Sequence, residues 1–264
     1  MSRNCIPRTV WGRIDQGYRQ HLMPYLMNVR GATRLAMALR RKGLASLCVR
    51  DDPPTVEICD TEISAAASES FAAFLTERVA AERFLQEARD VEVVADVGAY
   101  HGIYGLLATE IAGCKAFAFE PDAENFESVE RNRDLNGAGR LHPVRAAVLD
   151  EERSVTTEAS GNVKNTVTRG DGEVDAVSLD GFFDDRETPD LIKIDVEGAE
   201  MKVLRGAETV LQEEHPVLLL EVHKHESREP FDHDPTDVYA FLNEKDYEIE
   251  TLEERRMQEI IIAR

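Results

Sequence analysis

Residues 93–105 read VVADVGAYHGIYG. Val93, Val94, Ala95 and Val97 surround Asp96 in a short apolar run that suits a strand buried on both faces. Gly98 and Gly102 follow as a turn, and residues 103–108 enter a helix. The glycines permit positive φ and let backbone amides approach a ligand that a Cβ would keep away. Strand, glycine turn and helix form the first half of a parallel crossover, with Asp96 at the carboxyl end of the strand.

Outward from this stretch the same alternation continues. Short apolar runs at 91–97, 115–120, 141–148, 191–196 and 217–222 read as strands, and 102–112, 123–136, 200–213 and 235–243 read as helices between them. That pattern predicts an α/β domain with a mainly parallel sheet and helices on both faces. The end departs from it: 247–252 and 257–263 are two strand-like runs joined by Glu253-Glu254-Arg255-Arg256, which predicts a hairpin. The acidic segment 150–173 has little periodicity and reads as a loop or a loosely held strand pair. Upstream, 55–59 alternates like a strand. Residues 68–89 place Phe71, Phe74, Leu75, Val79 and Leu85 near helical spacing, as a packing helix does.

Spacing in the glycine turn bears on the ligand. A dinucleotide site wants GxGxxG, so that a pyrophosphate rests on the helix N-terminus, whereas three residues separate Gly98 from Gly102. Asp96 would repel a phosphate, but it can accept hydrogen bonds from an amino-acid ammonium. This favours S-adenosylmethionine over NAD. About twenty residues on, Glu120 ends the second strand, where a carboxylate can accept both ribose hydroxyls. Glu120 suits an adenosine ribose without saying which cofactor carries it.

At this point the chain resembles the FkbM family of S-adenosylmethionine-dependent methyltransferases, over about residues 55–264. The resemblance rests on DVGAYHG at 96–102, FEPD at 119–122, VSLDGFF at 177–183, PDLIKIDVEGAEMKVLRGA at 189–207 and PVLLLEVH at 216–223. It implies a Rossmann-like class I methyltransferase fold: a seven-stranded, mostly parallel sheet with an antiparallel C-terminal strand. It implies Asp96, Gly98, Ala99, Gly102, Glu120, Pro121 and Asp195 around S-adenosylmethionine. It also implies methyl transfer to a hydroxyl, on a sugar, a glycan or a small metabolite. Tyr100-His101 departs from the family's usual Asn followed by an apolar residue.

Methyl transfer is an in-line displacement, so the acceptor oxygen must be aligned and its proton removed. Such groups belong at the carboxyl ends of the strands. Lys193, Asp195 and Glu197 alternate along one strand, and Glu221 and His223 along the next. One reading makes Asp195 a contact to cofactor and acceptor, with Glu197 or His223 accepting the proton. Another binds Mg²⁺ through Asp195, Glu197 and Glu221. A structural account stands beside both: Lys193 neutralises a carboxylate inside the sheet, Glu197 caps a helix starting at Gly198, and His223 is solvated with Lys224 and His225. The sequence leaves these open, and no metal ligand is assigned.

Composition narrows the function classes. The 264 residues carry 31 Lys and Arg against 51 Asp and Glu, a formal charge of −20. A body this acidic repels a polyanion, which excludes generic nucleic-acid binding. The carboxylate surplus, with few lysines, suggests a halophilic archaeon. No run approaches the roughly 20 apolar residues of a membrane span, nor does the N-terminus carry a secretory signal, so a cytoplasmic protein is expected. Cys5, Cys48, Cys59 and Cys114 form no CxxC pair and signal neither zinc nor disulfides.

Charge also divides the chain. Residues 1–50 hold nine Arg and one Lys against Asp15 alone, net +9, and the remaining 214 are net −29. Residues 1–54 are therefore expected as a basic, mostly helical arm, and 55–264 as the methyltransferase domain. The arm would dock on the acidic body or on a second subunit; peripheral contact with an anionic membrane is the alternative. Two rival functions remain: an NAD-dependent oxidoreductase or epimerase, and a non-catalytic binding or assembly protein that keeps the fold.

Overall fold

The computed structural model describes residues 55–58, 61–66, 70, 77–151, 153–160, 163–169, 174–224, 234–255 and 257–264. The arm expected over 1–54 and the helical positions Phe71, Phe74 and Leu75 lie outside them. The chain divides into two compact units, Met1–Arg78 and Val79–Arg264. In the first, β1 (Thr55–Ile58) pairs antiparallel with β2 (Thr61–Ser64).

The helix α1 (Arg78–Glu87) leads into the second unit and buries Ala81, Phe84 and Leu85. Then come β3 (Val93–Val97), α2 (Ile103–Leu106, continued by a wider π turn over Leu107–Ala112), β4 (Lys115–Phe119), α3 (Ala123–Asn136) and β5 (Leu141–Val144). Next are β6 (Ala146–Val148), β7 (Arg153–Ser160), β8 (Val163–Arg169), β9 (Val174–Val177) and α4 (Leu179–Phe183). The chain ends with β10 (Leu191–Ile194), α5 (Glu200–Arg205), α6 (Glu208–Glu213), β11 (Val217–His223), α7 (Pro235–Glu244), β12 (Ile249–Glu254) and β13 (Gln258–Ala263).

Among the described residues, seven strands form one sheet in the order β12-β13-β11-β10-β3-β4-β5. The five central and edge strands from β11 to β5 are parallel, and β13 runs antiparallel to both β11 and β12. This is the mostly parallel, Rossmann-like α/β sheet that the sequence leads one to expect, closed by the expected hairpin. The chain lays β4 and β5 on one side of β3, then returns to lay β10 and β11 on the other. Direction therefore reverses between β3 and β10, and ligands of such sheets bind in the crevice at the carboxyl ends there.

Local chemistry explains the elements around that crevice. All five residues of β3 are buried, as a strand covered on both faces requires. Asp122 caps α3 by accepting from the amide of Asn125, and Gly137 ends it at φ +62°. Asp234 and Asp237 form a capping box around Pro235 at the start of α7. Phe117, Phe119, Phe183, Ile192, Ile194, Leu218 and Leu220 share the main core with α5, α6 and α7.

Two expectations need correction, and a third is narrowed. The run 141–148 is not one strand: β5 ends at Val144, Arg145 is exposed, and β6 joins a second sheet of order β6-β9-β7-β8. Of the two readings of 150–173, the structure holds the strand pair: β7 and β8 pair antiparallel in that sheet. The helix expected over 200–213 breaks into α5 and α6 around Gly206, where the backbone packs so closely that a Cβ would stand 2.0 Å from the Leu149 carbonyl oxygen. Asp180 takes over as the cap of α6, accepting from the amides of Thr209 and Val210 at 3.0 and 2.9 Å.

Candidate active site

The glycine turn rises from the carboxyl end of β3. Gly98 at φ +79° and Gly102 at φ +74° take the left-handed region, and so does Tyr100 at φ +53°. The amides of Gly98 and Ala99 both donate to the Phe119 carbonyl, at 3.1 and 3.0 Å, which ties the turn to the end of β4. Tyr100 is exposed and its ring stacks on that of His101, whose carbonyl is held by Asn132 at 2.7 Å. His101 is thus a loop residue, as its place in the turn suggests.

Asp96 is fully buried. Its Oδ2 accepts from the Gly105 amide at 3.2 Å, supplying a partner at the start of α2, where Gly102 gives no side-chain cap. Its Oδ1 makes no hydrogen bond among the described residues and stands 3.6 Å from the Lys193 ammonium. Burial raises the carboxyl's pKa, and the Lys193 charge works against that rise. A buried carboxylate oxygen with hydrogen-bonding capacity to spare fits a ligand ammonium.

Glu120 stands one residue past β4. Its Oε2 accepts from the Tyr100 amide at 2.8 Å, and its Oε1 from the Asp122 amide at 3.0 Å and from Asn125 Nδ2 at 3.4 Å. Burial pushes this carboxyl up to about 7 even against those three donors. Oε2 keeps a lone pair, which fits a ribose hydroxyl. Pro121, lacking an amide hydrogen, leads directly into the Asp122 cap.

Lys193 joins this half of the crevice to the other. Its ammonium lies 3.6 Å from Asp96 Oδ1, 3.3 Å from Asp195 Oδ2 and 3.2 Å from the Gly98 carbonyl, and 5.1 Å above the Tyr104 ring. β10 ends at Ile194, short of the expected 196, so strand parity does not carry Asp195 and Glu197. Asp195 nonetheless comes back beside Lys193, and Glu197 turns at φ +55°.

At the end of β11, His223 gathers the carboxylates. Its Nδ1 lies 2.7 Å from Glu200 Oε1, and its Nε2 lies 3.5 Å from Glu197 and 3.6 Å from Glu221. With a side chain only 11% exposed, His223 is not the solvated member of a surface trio. Burial alone would lower its pKa, but the hydrogen bond to Glu200 and the charges of Glu200, Asp195 and Glu197 outweigh that and raise it to about 9. Glu197 does not cap a helix at Gly198. Glu200, the first residue of α5, reaches back instead and accepts from the Gly198 amide at 2.8 Å.

Asp96, Gly98, Ala99, Gly102, Glu120 and Pro121 thus line the ends of β3 and β4, while Asp195, Glu197 and His223 meet at the ends of β10 and β11. One partner was not singled out from sequence: Glu200, which orients His223. Lys193, read from sequence as neutralising a carboxylate inside the sheet, links the two halves through Asp96 and Asp195. Three residues after Glu197 and at a helix start, Glu200 reads as an ordinary first-turn acid; nothing in the sequence marks its complete burial.

Residues 96–249 match the family model described as the methyltransferase FkbM domain. The chain belongs to the FkbM methyltransferase family. S-adenosylmethionine is its methyl donor, which replaces the oxidoreductase and assembly-protein alternatives. A similar curated protein is hexuronic acid methyltransferase AglP of Haloferax volcanii, 28% identical over 186 residues, covering 68% of this chain and 73% of that one. That relative agrees with the halophilic reading of the composition. Similar solved structures include methyltransferase FkbM from Methylobacillus flagellatus KT (18% identity, 89% of this chain and 60% of that one, TM-score 0.46). Another is precorrin-6y C5,15-methyltransferase from Geobacter metallireducens GS-15 (16% identity, 70% and 86%, TM-score 0.46). No helix among the described residues of this FkbM methyltransferase is long and apolar enough to cross a membrane.

Proposed function

We propose that this FkbM methyltransferase methylates a hydroxyl of a sugar, with a hexuronic acid unit of a glycan as the acceptor class. The observation that carries the reading is His223, fixed by Glu200 and facing Asp195 and Glu197 at the strand ends next to the glycine turn. The similarity to a hexuronic acid methyltransferase supports the acceptor class.

When bound, S-adenosylmethionine supplies a methyl group on a positively charged sulfur. Asp96 Oδ1 would accept from the ammonium of its methionine part, and Glu120 Oε2 from its ribose. Gly98, Ala99 and Gly102 would bring backbone rather than large side chains against it, Pro121 holds the turn after Glu120, and Asp195 would face both cofactor and acceptor. Transfer of the methyl to the acceptor oxygen would leave a neutral thioether and release the hydroxyl proton. Asp195 and Glu197 are the groups that take up that proton, and His223, held protonated by the surrounding carboxylates, orients the oxygen. Glu197, at 35% side-chain exposure, then passes it to water.

Residues 1–54 are read as a basic arm preceding a 55–264 methyltransferase domain; the opposite net charges of residues 1–50 (+9) and 51–264 (−29) support this division.

The test is the purified full chain with methyl-labelled S-adenosylmethionine and oligosaccharides that end in a hexuronic acid. A labelled methyl ether stable to mild alkali is expected. No transfer to any hexuronic acceptor would reject the acceptor class, and an alkali-labile methyl ester would move the reaction from the hydroxyl to the carboxyl.

A further inference from the structure

We propose that Asp195, Glu197 and His223 hold one divalent metal ion of the Mn²⁺ class at the carboxyl ends of β10 and β11. The proposal rests on the reading of these three as the acceptor-activating cluster. One donor atom from each lies within 4.8 Å of the other two. His223 Nε2 and Glu197 Oε2 are 3.5 Å apart, and at metal–ligand distances of about 2.1 Å such a pair subtends an angle of about 110°, within reach of ordinary coordination.

A second observation points to a metal rather than to a bare acidic cluster. The hydrogen bond of His223 Nδ1 to Glu200 at 2.7 Å places the ring proton on Nδ1 and turns Nε2 toward the two carboxylates. Carboxylate, imidazole and metal in that order is how proteins fix the tautomer and orientation of a metal-binding histidine. Glu200 is itself held, fully buried, by the Gly198 amide.

The donor set selects the ion. An oxygen-only set of Asp195, Glu197 and Glu221 would suit Mg²⁺ or Ca²⁺. Glu221, however, is engaged by the Gln258 amide. Its place is taken by an imidazole, and one nitrogen with two carboxylates suits Mn²⁺ better than Mg²⁺. A cation here would lower the pKa of an acceptor hydroxyl bound to it, and the released proton would pass to water.

The test uses the full chain, stripped with EDTA, desalted and titrated with Mn²⁺ alone in molar KCl, with free Mn²⁺ read by electron paramagnetic resonance. Binding of S-adenosylhomocysteine is measured calorimetrically on the same samples. The expected result is one Mn²⁺ per chain, with affinity reduced at least 10-fold in His223→Gln and roughly 10- to 100-fold in Glu200→Gln, which leaves the ligands in place. Both variants should bind S-adenosylhomocysteine as the parent does. Glu197→Gln, at the exposed edge, serves if His223→Gln does not fold. Absence of one-to-one Mn²⁺ binding in the parent, or unchanged affinity in the ligand variants, would overturn the metal site while bound S-adenosylhomocysteine kept the methyltransferase reading intact. A folded chain that takes Mn²⁺ but not S-adenosylhomocysteine would fail the other way round.

Discussion

A Cβ at Gly98 would stand 1.9 Å from the main-chain oxygen of Asp195, so the ends of β3 and β10 touch where no side chain fits. The obstacle is backbone and cannot swing aside, and φ +79° adds strain for any L-residue. Gly98→Ala should therefore lose about 3 kcal/mol or more of stability, or fail to fold. At Gly102 the nearest atom is Val129 Cγ1, at 2.8 Å, which can turn away. Gly102→Ala should cost no more than the left-handed strain, about 1–3 kcal/mol. Urea unfolding of the pair decides it: equal losses would mean that the β3–β10 contact is not what demands Gly98.

Asp96→Asn keeps an acceptor for the Gly105 amide but removes the charge offered to a ligand ammonium. Charge-assisted hydrogen bonds contribute about 1.5–3 kcal/mol, so affinity for S-adenosylhomocysteine should fall roughly 10- to 100-fold. Calorimetric titration reads this directly. Unchanged affinity would remove Asp96 from the cofactor site.

The pH dependence of cofactor affinity should follow Glu120. Its carboxyl is raised from 4.5 to about 7 by burial, so between those values the folded protein holds a proton that the unfolded chain has lost. Its contribution to stability is therefore full below about 4.5 and is lost as pH rises through 7, to the extent of roughly 3 kcal/mol. Ribose hydroxyls need the ionised form as acceptor. Binding at pH 6 should thus release a proton and be weaker than at pH 8, with the Tyr100 amide, Asn125 and the nearby Asp122 unchanged in position. Glu120→Gln should flatten the dependence; a slope that persists in that variant would assign it to another group.

Glu200 touches no reacting atom in this reading and acts through His223. Replacing it with Gln should reduce kcat roughly 10- to 100-fold. KM for S-adenosylmethionine should stay within about twofold, since cofactor contacts lie on β3 and β4. Steady-state kinetics at saturating acceptor separate the two. A rise in KM with kcat intact would make Glu200 part of the cofactor pocket instead.

How much of this was legible depended on the physics involved. The strands β3, β4, β10 and β11 show in the sequence because burial on both faces writes continuous apolar runs such as Leu218-Leu219-Leu220, and the final hairpin because two strand-like runs flank a short charged turn. The second sheet shows only in part. Residues 153–160 and 163–169 mix Thr, Val and charges, which leaves a loop and a strand pair equally open until backbone pairing across the sheet decides for the pair. Similarly, 141–148 reads as one run because Arg145, where the chain changes sheets, lies between apolar neighbours. The need for glycine at 206 comes from a carbonyl more than fifty residues away, which no local pattern encodes.

In the site, parity along β11 brought Glu221 and His223 together as expected. Along β10 it stopped at Ile194, and Glu197 reaches His223 through a left-handed turn that alternation does not describe. Glu200 was hidden for a different reason: helix starts favour acids everywhere. Only burial distinguishes this one.

Lys193 and Asp96 occupy opposed positions on neighbouring parallel strands, paired residue to residue across β10 and β3. A slip of β10 by one position would set Ile192 or Ile194 against Asp96 and turn the ammonium to the other face of the sheet, leaving two charges apart in a dry interior. Breaking a buried pair in that way costs about 3–5 kcal/mol. Alternative alignments of two otherwise interchangeable apolar strands are thereby penalised during folding, before any cofactor arrives.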